Sequence, residues 1–219
     1  MKHEKMKKLT VLAMLSAIAY VAVALLRFPV VLFLSYEPKD VVIAIGGFLY
    51  GPLAALGISL VVSFIEMLTI SSTGWIGFVM NFLSSAAFAG TAALLYRKKR
   101  TQGSAIAGLF GGALLMTVLM LLWNYLITPI YMGMDREEIV VPMLIPVFLP
   151  FNLVKGGLNM ALILLLYKPV VTALRKARLV PESHAPVEGK GKLSAGFLLF
   201  SLALLATFVV LALVLMGIL

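Results

Sequence analysis

The chain has 219 residues, 62% of them hydrophobic and only 12% charged, with a mean hydropathy of +1.09. Soluble domains carry about 25% charged residues, so this composition excludes a soluble domain and indicates a polytopic membrane protein. The net charge of +9 is spread over short basic runs between apolar segments, a loop pattern that sets membrane topology and argues against nucleic-acid binding. The absence of cysteine excludes disulfides and thiolate metal sites.

In chain order, Met1-Lys2-His3-Glu4-Lys5-Met6-Lys7-Lys8 precedes a first apolar run over residues 9–26. That run is long enough to cross the hydrocarbon core, so it reads as an uncleaved first helix. The polar stretch Ser35-Tyr36-Glu37-Pro38-Lys39-Asp40 follows, and apolar sequence resumes over 41–68, interrupted by Gly51-Pro52. A fourth helix is expected over 75–96, closing at Arg97-Lys98-Lys99-Arg100. The fifth is expected over 105–130 and is followed by a loop over 132–138. The sixth is expected over 147–167, running out near Arg175-Lys176-Arg178. A polar linker then leads to a last apolar helix over 193–219.

Lysine and arginine favour the cytoplasmic side. The N-terminal lysines, the Arg97–Arg100 run and the Arg175–Arg178 run are therefore expected inside, with the N-terminus cytoplasmic. This holds only if 41–68 forms two short helices broken at Gly51-Pro52, because a single span would deliver Arg97–Arg100 to the outside. Proline removes a helix donor and pushes its predecessor out of the helical region. Residues 41–50 rise only about 15 Å, half the core thickness. Broken elements at membrane depth are tolerated where protein or a cavity covers the freed backbone, so this pair is expected to help build a cavity. The loops at 35–40, 69–75 and 132–138 then share the outer side, and the second of them is rich in hydroxyls.

Polar side chains inside apolar helices are costly and face a partner, a cavity or a substrate. Asn152 and Lys155, three apart in Phe151-Asn152-Leu153-Val154-Lys155-Gly156-Gly157, share a helix face and offer donors and an acceptor at depth. Asn124, in Trp123-Asn124-Tyr125, and Asn81 are either substrate contacts or helix-to-helix hydrogen bonds. Glu66 either pairs with Lys155 or reaches the interface, and Arg27 is expected to snorkel. Glu37 and Asp40 are loop acids, with Asp40 also placed to cap the following helix. Trp75 is an interfacial aromatic or a stacking surface. Amides and aromatics together suit a planar heterocycle. On the first helix, Ala13 and Ala17 stand four apart, a spacing that lets another helix approach closely.

Several functions are disfavoured. The chain has no phosphate-binding Gly-rich loop ending in Lys-Ser/Thr, no Gly-x-Ser-x-Gly elbow and no His-Glu-x-x-His helix. Its two histidines, His3 and His184, lie in polar segments, and no inverted repeat of the secondary-transporter kind is visible. What remains is an outward-open binding bundle that needs an outside source of energy.

These motifs resemble the substrate-binding S components of energy-coupling factor (ECF) vitamin transporters, most closely the riboflavin-specific type. The resemblance covers roughly residues 9–178. It rests on Ala13-x-x-x-Ala17, Glu37-Pro38-Lys39-Asp40-Val41, Tyr50-Gly51-Pro52-Leu53-Ala54-Ala55 and Met80-Asn81-Phe82-Leu83. It continues through Trp123-Asn124-Tyr125, Pro129-Ile130-Tyr131 and Pro150-Phe151-Asn152-Leu153-Val154-Lys155-Gly156.

The resemblance implies an all-α polytopic membrane protein: a six-helix bundle with short, broken second and third helices and a cytoplasmic N-terminus. It implies a substrate-binding domain over 1–178 in the cell membrane of a prokaryote, with no enzymatic activity. Riboflavin would be bound as transported substrate, not as a cofactor. The equivalents of Asn124, Asn152 and Lys155 hydrogen-bond its isoalloxazine or ribityl groups, and the Glu37-to-Asp40 loop covers the ligand. The implied partners are a transmembrane T component, docking on Ala13 and Ala17, and two cytoplasmic ATPases that energise uptake.

Two features depart from that pattern. A polar cytoplasmic linker over 179–192 and an additional transmembrane helix over 193–219 exceed six helices. Glu66 and the hydroxyls of 69–73 do not map onto flavin contacts. Alternatives are therefore an S component for FMN, another vitamin or another small heterocycle, or a non-transport membrane enzyme. The last would need clustered carboxylates or a nucleophile and base.

Overall fold

The computed structural model describes residues 2–133, 135–177, 179–180 and 194–219. Most of the polar linker expected over 179–192, with His184, lies outside the described residues, as does Arg178. Helix α1 spans Lys2–Leu26, α2 Lys39–Tyr50, α3 Pro52–Thr69, α4 Gly74–Lys99, α5 Gln102–Leu126, α6 Arg136–Lys176 and α7 Ala195–Leu215. All but α2 are long and apolar enough to cross a membrane. Their outward faces carry large apolar side chains such as Leu25, Leu53, Phe110, Ile145 and Leu199, as a lipid-facing surface requires.

The break at Gly51-Pro52 is present. Gly51 takes φ +92°, a left-handed backbone open to glycine at no steric cost, and Pro52 starts α3 at a position where no amide donor is needed. With 12 residues, α2 rises only about 18 Å. It doubles back against α3, so that Lys39 at its start meets Glu66 near the end of α3.

Four expectations need correction. The segment between α1 and α2 is not irregular: Phe28–Val31 (β1) pairs antiparallel with Leu34–Tyr36 (β2), with a bulge between Pro29 and Val31. The aromatic and β-branched residues here suit a pleated strand, and Pro29 is accommodated at the bulge. Asp40 does not cap α2; Pro38 occupies the cap position without a side-chain bond, and Asp40 lies inside the first turn.

The sixth helix begins eleven residues earlier than expected, at Arg136, so Arg136-Glu137-Glu138 is helical. Pro142, Pro146 and Pro150 would end an ideal α-helix. Here two π-helical turns, Arg136–Val140 and Leu144–Phe148, shift the hydrogen-bond register around the missing donors. Asp135 caps the start by accepting from the Glu138 amide at 2.7 Å. Helix α5, by contrast, stops at Leu126, and Pro129 sits in a separate short helical turn, Thr128–Met132.

Small residues set the helix spacing. Gly108 and Gly112, four apart on α5, lie directly on the backbone of α4 at Ala92 and Phe88, a close approach of the Gly-x-x-x-Gly kind. Gly156 of α6 meets Ala113 of α5, while the Phe208 ring of α7 covers Gly157. Gly112→Leu is expected to lower the melting temperature of the detergent-purified protein, because overpacking against a carbonyl that cannot move aside costs about 1–3 kcal/mol. Gly111→Leu, whose first atom would meet only Leu95 at 3.5 Å, should melt like the unaltered chain. Equal melting of the two variants would remove Gly112 from the helix contact.

Candidate binding site

A cavity of about 220 Å³ opens at the end of the bundle where the β1–β2 hairpin lies. All three loops expected on one side contribute to it: Ser35 and Glu37 from the first, with Phe33 and Leu34 of the hairpin beside them, Ser71, Ser72 and Thr73 from the second, and Met132 at the start of the third, next to Tyr131. The helices supply Glu66, Met80, Asn81, Ser84, Met120, Asn124, Phe151, Asn152 and Lys155. Four of the residues singled out from sequence as intramembrane polar contacts, Asn81, Asn124, Asn152 and Lys155, thus come to one cavity from three helices. Glu37 joins them. Asp40 does not line the cavity but stands behind Lys155, fully buried. Trp75 is 67% exposed and lies outside the lining, edge-on to Phe78.

A second, larger hollow of about 430 Å³ lies between α5, α6 and α7, walled by side chains such as Phe110, Leu153, Phe208 and Leu211. It offers no polar side chain to orient a ligand, so the first cavity is the candidate site.

Two ionic clusters frame the site. Lys39, fully buried, places Nζ 2.8 Å from Glu37 Oε2 and 2.6 Å from Glu66 Oε2. Arg27 Nε adds to Glu37 at 3.5 Å, and Asn81 donates to Glu66 Oε2 at 2.8 Å. Burial pushes the Glu37 carboxyl up, but the surrounding Lys39, Lys155 and Arg27 charges outweigh it and hold the group below the usual carboxylate range. In the second cluster Asp40 accepts from Ser85 Oγ at 2.5 Å and from Asn159 Nδ2 at 3.2 Å, with Lys155 Nζ 3.7 Å away. Lys155 also donates to Ser84 Oγ at 3.4 Å.

Glu66 therefore pairs with Lys39 instead of Lys155 and is buried instead of reaching the interface. Arg27 is partly exposed and points its guanidinium at Glu37. The buried acids Glu37, Asp40 and Glu66 are each paired with a base, Lys39 and Lys155 from inside and Arg27 from the partly exposed edge, as buried charge requires.

The amides are held by their own helices. Asn124 Nδ2 donates to Met120 O at 2.7 Å and its Oδ1 accepts from Thr128 at 3.0 Å. Asn152 donates to Phe148 O at 2.7 Å. These bonds fix each carboxamide against its helix, so the side chains are preorganised at the cavity wall. The hairpin is latched over the site by Tyr36, whose hydroxyl donates to Asn159 Oδ1 at 2.8 Å. Phe33 against Phe148 adds an apolar contact, with centroids 6.0 Å apart.

Lys39, Ser84, Ser85 and Asn159 were not anticipated from sequence. The signal for most of them was spacing: Asn152, Lys155 and Asn159 fall at i, i+3 and i+7, and Asn81, Ser84 and Ser85 at i, i+3 and i+4, each set on one helix face. Lys39 carried no such signal, because its partner Glu66 is 27 residues away.

A family model described as "ECF transporter, substrate-specific component" matches residues 7–170. The chain is 30% identical over 179 residues to the riboflavin transporter RibU of Staphylococcus aureus, covering 78% of this chain and 93% of that protein. It is 30% identical over 189 residues to the riboflavin transporter FmnP of Bacillus subtilis, covering 80% and 99% respectively. Among solved structures, the S component of a bacterial ECF transporter matches with a TM-score of 0.66 at 31% identity, covering 78% of this chain and 99% of that one. The family match ends before α7.

Proposed function

The chain belongs to the substrate-specific components of ECF transporters, a family of multi-pass membrane transport proteins and not of enzymes, and on that premise we propose that it binds riboflavin and mediates its uptake. The observation that carries this reading is the cavity itself. Amides and a lysine from three helices meet aromatic side chains from α6, the hairpin and the Thr128–Met132 turn. A planar heterocycle with polar edges and a hydroxylated side chain needs that combination. The matched relatives include riboflavin transporters, which favours flavin over other heterocycles.

On this reading Asn124, Asn152 and Lys155 hydrogen-bond the ligand, with Asn81 beside them, and the hairpin covers it. The N-terminus lies in the cytoplasm and the cavity opens outside. By parity, a transmembrane α7 places the C-terminus outside. The test is optical. Detergent-purified protein should carry a yellow chromophore, or quench riboflavin fluorescence with saturation near one ligand per chain after stripping. Folded protein that binds no flavin would overturn the substrate assignment and leave the family standing.

The energising partners would be a T component and two ATPases. Ala13 and Ala17 lie on the outward face of α1 with Met14, Ile18 and Val21, open to close helix approach. Ala13→Leu is expected to spare riboflavin binding and reduce co-purification with the T component several-fold. An intact complex in that variant would remove this face from the interface.

A further inference from the structure

Glu66, on α3, carries one carboxylate oxygen with no hydrogen-bond partner among the described residues. Its side chain is 2% exposed, and both of its bonds, from Lys39 Nζ and from Asn81 Nδ2, converge on Oε2. The other oxygen, Oε1, is buried and has no hydrogen-bond partner among the described residues, yet Glu66 lines the cavity. A carboxylate oxygen only accepts hydrogen bonds, and a buried acceptor left unpaired carries its full desolvation cost. The neighbouring Ser71 and Thr73 hydroxyls bond to each other and not to Glu66.

We propose that Glu66 Oε1 is a specificity-determining acceptor for a donor group of the transported ligand, an O–H or N–H presented to the α3 wall of the cavity. This assignment rests on the flavin reading above and deepens it. Lys39 and Asn81 both hold Oε2, which anchors that oxygen and leaves Oε1 as the open position. A charge-assisted hydrogen bond in a desolvated site is roughly twice as strong as a neutral one, so the site discriminates against ligands that lack the donor. Riboflavin offers two kinds: the imide N–H of its ring and the hydroxyls of its side chain.

Glu66→Gln tests the assignment. The amide oxygen must face the Lys39 and Asn81 donors, which turns the NH2 toward the ligand and replaces an acceptor by a donor. The titration compares wild type and variant with riboflavin, with lumiflavin, in which a methyl group replaces the hydroxylated chain, and with riboflavin methylated at the imide nitrogen. Riboflavin affinity should fall about 10- to 100-fold in the variant, as expected for a hydrogen bond to a charged group. One of the two analogues should bind wild type more weakly and be indifferent to Glu66→Gln; which one it is identifies the donor.

Unchanged riboflavin affinity in the variant overturns the proposal. So does an equal loss for all three ligands, which is the mark of a merely structural role. The wild-type arm stands even if the variant folds poorly: two analogues that both bind wild type as tightly as riboflavin also overturn it. Folded wild type that binds no flavin at all sinks the substrate reading and this assignment with it, whereas flavin binding that ignores Glu66 sinks only the latter.

Discussion

Replacing Lys155 by alanine is expected to weaken riboflavin binding about 10- to 100-fold, the range for losing a hydrogen bond from a charged group, in a protein that still folds. The ammonium has three donors. The structure uses it only at long range, 3.4 Å from Ser84 Oγ and 3.7 Å from Asp40 Oδ2, so donor capacity remains on the cavity side. Asp40 keeps its bonds from Ser85 and Asn159 when Lys155 is lost, which is why the fold should survive. Titration by fluorescence quenching, with melting temperature measured on the same sample, separates the two effects. Wild-type affinity in a folded Lys155→Ala protein would take Lys155 out of the site.

Lys39→Met should be far more damaging, and to the fold first. Lys39 neutralises Glu37 and Glu66 at the same time from a fully buried position. Removing it leaves the buried Glu66 without a cation and Glu37 with the partly exposed Arg27 alone, and breaking a buried ion pair from one side costs about 3–5 kcal/mol. That is a large share of a domain's net stability of about 5–15 kcal/mol. The expected result is poor recovery of folded protein and a strongly lowered melting temperature. Adding Glu37→Gln and Glu66→Gln to Lys39→Met should restore much of the stability, because replacing all members of a buried ionic cluster by neutral groups is far less costly than orphaning one. A triple variant as unstable as the single one would show that Lys39 acts through packing and not through charge.

The same cluster shows where sequence reasoning reached its limit. Glu37-Pro38-Lys39-Asp40 reads as a solvated loop, since nothing within ten residues of Lys39 predicts burial. Only the doubling back of α2 on α3 brings Glu66 beneath it. For Glu66 the sequence leaves open a pairing with Lys155 or a reach to the interface, and neither occurs, because the helix order in space decides which charges meet. The β1–β2 hairpin is not legible in the sequence for a related reason: its strands of four and three residues are too short to show a period.

What the sequence determined by itself is the membrane class, the existence and order of the apolar helices, though not the early start of the sixth at Arg136, the break at Gly51-Pro52 and the gathering of three loops at one end. These follow from local physics: about 20 apolar residues to cross the core, a proline without a donor and the asymmetry of basic residues. It also identified Asn124, Asn152 and Lys155 as polar groups that hydrocarbon would not tolerate without a reason. Tertiary structure alone decided that these groups share a cavity with Asn81 and Glu37, that Asp40 stands behind Lys155, and that one oxygen of Glu66 is left open. Burial and pairing across 27 to 123 residues of chain are properties of helix packing. Here glycines on α5 and α6 set how closely the helices approach, and no pattern read along a single helix encodes which face its neighbour will cover.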